Sequence, residues 1–328
     1  VKLARAQHGP PRVLEQPGHG HAGRARYLAC LVAVGASSKR ATPGRAARSA
    51  RVPLPPGSAV VGGSRPRGAL GPGRGLARAP KAMSTAETQS KPVMVVTGAS
   101  YGLGAAIAQR FAGAFQVCAL ARGRDKLVKL VEECRDKSGV DSIASYECDV
   151  SNKNDVLATC KSILDKYGQV DVLINNASTY ECSNFQDLSL DSIDHMVDVN
   201  LKGTMYMTHC ILPSMMSAKA GKIIMVNSVA GTGSWTVPGE SIYCASKHGQ
   251  TGFASALANE VREHGITVTS LHPGGIDTPL QVKAGTPDEV RAKFLTAEDV
   301  VDAIQYVVNA DSRVLVKTIN LWRSAFWH

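Results

Sequence analysis

From Val93 onward the chain repeats one pattern: a short apolar run, a turn, then a stretch of helical periodicity. The expected strands are the apolar runs Val93–Thr97 and Phe115–Leu120, then Ser142–Glu147, Val170–Ile174, Lys222–Asn227, Thr267–Leu271 and Leu315–Ile319. Between them lie segments of helical character, including Gly102–Gly113, Lys126–Lys137, Ser192–Ala218 and Ile242–His264. A further segment places Val156, Cys160, Ile163, Leu164 and Tyr167 on one helical stripe, with Ser151 as the expected cap. Strands that are apolar on both faces and alternate with helices form a parallel sheet covered on both sides. Right-handed crossovers make it doubly wound. The expectation is an α/β fold with a seven-stranded parallel sheet, its ligand site at the carboxyl ends of the strands.

The first 82 residues do not share this pattern. They hold 13 of the 31 glycines and 10 of the 16 prolines, with 15 Lys/Arg against the single acid Glu15. Such a segment cannot bury enough apolar surface to fold, so residues 1–82 are expected to be a disordered basic leader. Its Arg-rich, acid-poor character resembles a targeting segment, and Tyr27–Ala36 resembles a short signal core. Met83 opens the sequence expected of a compact enzyme, so a non-native or unstructured extension is favoured over targeting, and a cytoplasmic location over an organelle. Residues 83–328 are expected to form one domain.

The formal charge of +10 belongs to that leader: residues 83–328 carry 22 Lys/Arg and 26 Asp/Glu. No basic patch in the body argues for nucleic acid. No apolar run reaches the roughly 18 residues of a membrane span. The eight cysteines include no C-x-x-C pair and no zinc spacing, so they read as small buried thiols with no metal.

Between the first strand and first helix lies Thr97-Gly98-Ala99-Ser100-Tyr101-Gly102-Leu103-Gly104. Gly98 permits a tight turn, Gly102 lets the backbone approach a pyrophosphate, and the helix N-terminus offers N–H donors. The spacing is G-x-x-x-G-x-G rather than G-x-G-x-x-G, and at the first βα junction of a doubly wound sheet it is expected to be the phosphate turn of a dinucleotide-binding Rossmann fold. The second strand ends Ala119-Leu120-Ala121-Arg122, without the acid that holds a ribose 2′-hydroxyl. Arg122 and Arg124 are placed to meet a 2′-phosphate instead, which favours NADP(H) over NAD(H).

Tyr243 and Lys247 are four apart on a predicted helix and share a face. A phenol of pKa ~10 is a poor acid–base near neutrality, and a neighbouring ammonium lowers that value. Ser228 follows the fifth strand, and Asn200 lies in the helix before it.

With these residues in order, the chain resembles the short-chain dehydrogenase/reductase family, compact soluble branch, over about residues 91–320. The motifs that carry the resemblance are the phosphate turn, Asn175-Asn176-Ala177-Ser178, Asn200, Ser228, Tyr243-Cys244-Ala245-Ser246-Lys247 and Pro273-Gly274-Gly275-Ile276-Asp277-Thr278. The resemblance implies hydride transfer between a nicotinamide and a small-molecule carbonyl or secondary alcohol. It implies that Tyr243 is the acid/base, that Lys247 also holds the nicotinamide ribose, that Ser228 orients the substrate oxygen, and that Asn200 supports a proton relay through water. Ser100, Tyr101, Leu103, Asp149, Val150, Asn176, Ala177, Ile276 and Thr278 match cofactor-contacting positions. Ser178 departs from the usual glycine, and Tyr101 stands where many NADP-preferring members carry a basic residue. Assembly as a homodimer or homotetramer is also implied.

The segments Tyr180–Leu188, Val229–Ser241 and Pro279–Phe294 are expected to wall the substrate pocket, with Trp235 and Val237 as apolar candidates. The C-terminal region lacks the Gly-Gly ending of ketoacyl reductases and resembles the branch acting on small 3-hydroxy acids, serine-type substrates and general carbonyls. The alternatives to a carbonyl reductase or alcohol dehydrogenase are a 3-oxoacyl reductase of lipid synthesis and a non-catalytic nucleotide-binding sensor.

Overall fold

The computed structural model describes residues 91–138, 141–233 and 236–324; the leader and Trp235 lie outside the described residues. Seven strands form one sheet: β1 (Val93–Thr97), β2 (Gln116–Ala121), β3 (Ile143–Glu147), β4 (Val172–Asn175), β5 (Gly221–Val226), β6 (Ile266–Pro273) and β7 (Thr318–Leu321). Their spatial order is β3-β2-β1-β4-β5-β6-β7, and every pairing is parallel. The doubly wound sheet expected from the sequence is therefore present.

The main helices are α1 (Gly102–Phe111), α2 (Arg124–Ser138), α3 (Lys153–Tyr167), α4 (Leu190–Val197), α5 (Gly203–Ala218) and α6 (Ser241–Val261). Two short helices, α7 (Pro279–Lys283) and α8 (Asp288–Arg291), precede α9 (Ala297–Asn309). Side chains of β1 alternate between two cores. Met94 and Val96 pack with Ile107 and Phe111 of α1, Leu127 and Leu130 of α2, and Val300 and Ile304 of α9. Val93 and Val95 pack with Val156 and Ile163 of α3, Met207 and Ile211 of α5, and Leu257 and Val261 of α6. Burial on both faces is why the inner strands read as continuous apolar runs, while the edge strands β3 and β7 do not.

Helix ends follow local chemistry with one correction. The cap of α3 is Asn152, whose side chain accepts from the backbone N–H groups of Asn154 at 2.9 Å and Asp155 at 3.5 Å. Ser151 does not cap, because its hydroxyl donates to Asp149 Oδ1 at 2.6 Å. At the other end of the sheet, Lys222 Nζ donates to the carbonyls of Val307, Val308 and Ala310 at 3.2, 2.7 and 2.7 Å, closing the C-terminus of α9.

The expected helix Ser192–Ala218 is not one α-helix. It starts earlier, capped by Ser189, and Asp198–Lys202 is a π-helical turn between α4 and α5. The seventh strand also lies later than the expected Leu315–Ile319. It is an edge strand, and its residues alternate between exposed and partly buried.

Leu173, at the centre of β4, is wholly buried, whereas Leu190 is 79% exposed. Leu173→Ala is expected to cost about 2–5 kcal/mol in urea unfolding. Leu190→Ala is expected to stay within about 0.5 kcal/mol of the parent.

Candidate active site

Strand order reverses at β1, which pairs with β2 on one side and β4 on the other. A cleft of about 930 Å³ opens at the carboxyl ends of these strands. The turn after β1 forms its floor. Gly98 has φ +67°, a backbone conformation that favours glycine. A Cβ on Gly104 would overlap the carbonyl oxygen of Gly98, so α1 packs here only without a side chain. Tyr101 makes no capping hydrogen bond to α1, and no acid lies in its first turn. Such an N-terminus fits an anionic ligand group.

The end of β4 is laced to this turn. Thr97 Oγ1 accepts from the backbone N–H groups of Asn176 and Ala177, each at 2.9 Å. Asn176 Nδ2 donates to Thr97 O at 2.8 Å and Gly98 O at 3.3 Å. Asn176 therefore holds the turn in place while lining the cleft.

Beyond β2, the cleft is lined by Arg122, Arg124 and Lys126 together with Ser100 and Tyr101. Lys126 Nζ lies 4.8 Å from the centroid of the Tyr101 ring, a cation–π contact. Arg122 is exposed, 3.8 Å from Asp149. Sequence reasoning misses Lys126, although its place in the first turn of the helix after Arg122 and Arg124 is a usable signal. The matched positions Leu103, Asp149, Val150, Ala177, Ile276 and Thr278 also line the cleft.

Tyr243 and Lys247 face the same cleft from α6. Ser228, just after β5, accepts from Ala230 N at 3.2 Å through its hydroxyl, which lies near enough to Tyr243 to favour the ionised phenol. Its backbone carbonyl lies 2.9 Å from Nδ1 of the buried His272. Lys247 is buried, with Nζ donating to Val226 O at 3.2 Å. Asn227 holds the carbonyl of Lys247 at 3.1 Å through Nδ2.

Asn200 stands behind this row, wholly buried in the π-helical turn. Its Oδ1 accepts from Thr179 N at 2.8 Å and Ser178 Oγ at 3.1 Å. Its Nδ2 donates to Thr179 O at 3.0 Å and Ser246 Oγ at 3.1 Å. The departure at Ser178 therefore adds a hydroxyl to the Asn200 cluster. The Asn200 carbonyl accepts from Gln250 Nε2 at 2.6 Å and Thr204 Oγ1 at 2.9 Å.

The electrostatics correct one expectation. Burial raises the Tyr243 phenol above its ordinary value; hydrogen bonding from Ser228 opposes the shift, and the charge of Glu240 adds to it. Burial also brings the Lys247 ammonium down to about 7. Its Nζ lies 5.7 Å from the Tyr243 ring centroid and is turned to Val226 O, so desolvation outweighs the ammonium effect expected from the i,i+4 spacing.

The loops expected to wall the substrate meet beside Tyr243. The Tyr180 ring packs edge-on to Tyr243 with centroids 4.9 Å apart. Its hydroxyl donates to Glu240 Oε1 at 2.7 Å. The third expected wall contributes Pro279, Leu280 and Lys283 to the lining of the same cleft.

The short chain dehydrogenase family model matches residues 92–289. This chain belongs to the short-chain dehydrogenases. It is 33% identical to an uncharacterized oxidoreductase of Staphylococcus saprophyticus over 72% of this chain and 98% of that one. It is 31% identical to sepiapterin reductase of Chlorobaculum tepidum over 70% and 96% of the two chains. Among solved structures, the closed form of serine dehydrogenase complexed with NADP+ matches with a TM-score of 0.64, 28% identity, and coverage of 70% and 94%. The chain is thus an oxidoreductase of this family. No helix among the described residues is long and apolar enough to cross a membrane.

The buried Lys247 has a consequence for stability. An unfolded lysine titrates at 10.5, whereas the folded one titrates at about 7. Burying the charge penalises folding fully below about pH 7, and the penalty is relieved as pH rises toward 10.5. Lys247→Met is therefore expected to raise the Tm of cofactor-free protein more at about pH 6 than at about pH 9. Equal gains at the two pH values would contradict the lowered pKa.

Proposed function

We propose that this short-chain dehydrogenase is an NADP(H)-dependent carbonyl reductase or alcohol dehydrogenase with Tyr243 as its acid/base. The observation that carries the reading is the shared cleft: Tyr243 and Lys247 line the same space as the glycine turn and the Arg122, Arg124 and Lys126 cluster.

The cofactor, when bound, supplies a hydride to the carbonyl carbon or accepts one from the alcohol. The turn at Gly98–Gly104 and the N-terminus of α1 hold the pyrophosphate. Arg122 and Arg124 meet the 2′-phosphate, and Lys126 adds a third cation to that corner. Asn176, Ala177, Ile276 and Thr278 hold the ribose and nicotinamide end. The NADP+ bound in the serine dehydrogenase structure supports this choice of coenzyme.

Ser228 Oγ and Tyr243 Oη take the substrate oxygen between them. Tyr243 gives its proton to that oxygen in reduction and removes it in oxidation. A phenol raised by burial stays protonated, the form reduction requires. Lys247, buried on the same helix face, is placed to hold the nicotinamide ribose, and the proton of Tyr243 is replaced through a water relay that Asn200 supports. Asn200 holds the segment Ser178–Thr179 to α6, which fixes the Tyr243 side of the cleft. Asn200, Ser228, Tyr243 and Lys247 then act as one unit.

Turnover with NADPH on ketones, aldehydes and 3-oxoacyl thioesters tests the reading. Tyr243→Phe should lower kcat by about a hundredfold or more. NADPH affinity should stay within about threefold, as the ribose and phosphate contacts remain. Tight NADPH binding with no turnover on any substrate would instead make the chain a nucleotide sensor. Arg122→Asp restores an acid at the end of β2 and should move the NADPH/NADH ratio of kcat/KM toward NADH by at least about tenfold. An unchanged ratio would remove Arg122 from the coenzyme site.

A further inference from the structure

We propose that Glu240 is a specificity-determining residue, its carboxylate selecting uncharged carbonyl substrates over carboxylate-bearing ones at the wall beside Tyr243. The inference rests on the carbonyl-reduction reading.

Glu240 is buried, which is unusual for a glutamate outside a built site. It lies one helical turn before Tyr243, at the mouth of α6, and its Oε1 accepts the Tyr180 hydroxyl at 2.7 Å. Tyr180 in turn sets its ring edge-on to Tyr243 at 4.9 Å. The carboxylate therefore sits one hydrogen bond from the ring that packs on Tyr243, and its charge is felt at the phenol.

The wall is held from both sides. Ser183 N donates to Gly239 O at 3.0 Å, and Cys182 Sγ lies 3.8 Å from Pro238 O. Gly239 has φ +91°, and a Cβ there would meet Cys182 Sγ at 2.9 Å. The loops after β4 and β5 thus close on each other tightly, with Glu240 at their junction.

The groups facing Glu240 are Tyr180 from the β4 loop, with Tyr243 and Cys244 from its own helix. None is a cation. Lys247, the nearest cation of α6 toward the reacting atoms, is buried and turned to Val226 O. A substrate carboxylate entering here meets an anion in a desolvated wall, and like charges so placed are costly. Carboxylate recognition needs the opposite, an arginine fork or a cluster of N–H donors. Burial lifts the Glu240 carboxyl, while the donated Tyr180 hydroxyl favours its ionised form.

The test compares a keto ester with its free keto acid in wild type, Glu240→Gln and Tyr180→Phe. The wild type should favour the ester in kcat/KM, and E240Q should shrink that preference by about tenfold or more, chiefly through KM for the acid. Tyr180→Phe keeps the ring but removes the hydroxyl that favours the ionised carboxyl, so any fall in its preference should be recovered at higher pH, whereas that of E240Q should not. An unchanged ratio in E240Q, or a pH-independent collapse in Tyr180→Phe, would overturn the assignment. If E240Q does not fold, a dead-end amide and its matching carboxylate are titrated into wild type with NADP+. The amide should bind about tenfold tighter, and equal affinities would sink the proposal. This binding arm reads the charge even where neither ketone turns over, so a failure of the reaction assignment is seen separately.

Discussion

The side-chain amide of Asn200 is the contact on which the rest of the site depends. A buried amide is favourable only when its donors and acceptor are met. Here Oδ1 takes two bonds from Ser178 and Thr179, and Nδ2 gives one to Thr179 and one to Ser246. Three of the four reach the loop after β4, and the fourth reaches the helix that carries Tyr243 and Lys247. One residue thereby ties two separate crossovers together at the carboxyl edge of the sheet. Its own carbonyl, in the π-helical turn, accepts from Gln250 and Thr204.

Around that amide, polar groups hold backbone while apolar groups supply the bulk. Thr97 and Asn176 fasten β4 to the phosphate turn, and His272 and Asn227 fasten the segment around Ser228 to β6 and α6. Two cores, one on each face of the sheet, keep these strand ends from moving apart. The candidate site side chains are thus carried on strand ends and helix faces, which are rigid, with only the outer walls left to loops.

Much of this was legible in the sequence, for a physical reason. Strands buried on both faces must be apolar throughout, so the inner strands stand out, whereas the edge strands β3 and β7 are half exposed. The phosphate turn and the Tyr243–Lys247 pair are local patterns, needing only a turn or one helical face. What the sequence hid depends on distance or on competition. Tyr180 and Glu240 are sixty residues apart and carry no periodic signature. Ser151 and Asn152 are both capable caps, and the choice fell to Asn152 because Asp149 engages Ser151. The effect of Lys247 on Tyr243 could be read as a sign but not as a balance, since burial of both groups is a tertiary property. The leader and Trp235 fall outside the described residues.

The π-helical turn at Asp198–Lys202 sets a rule for how this region tolerates change. Each residue added to or removed from a helix rotates all residues downstream of it by about 100°. A π turn holds a residue more than an α turn would, so the phase between α4 and α5 is written into chain length rather than residue type. Conservative replacements along the outer side of this stretch leave that phase intact. Loss of one residue would let the helix run on as α and swing Asn200 away from both Thr179 and Ser246, even with every side chain of the site still present.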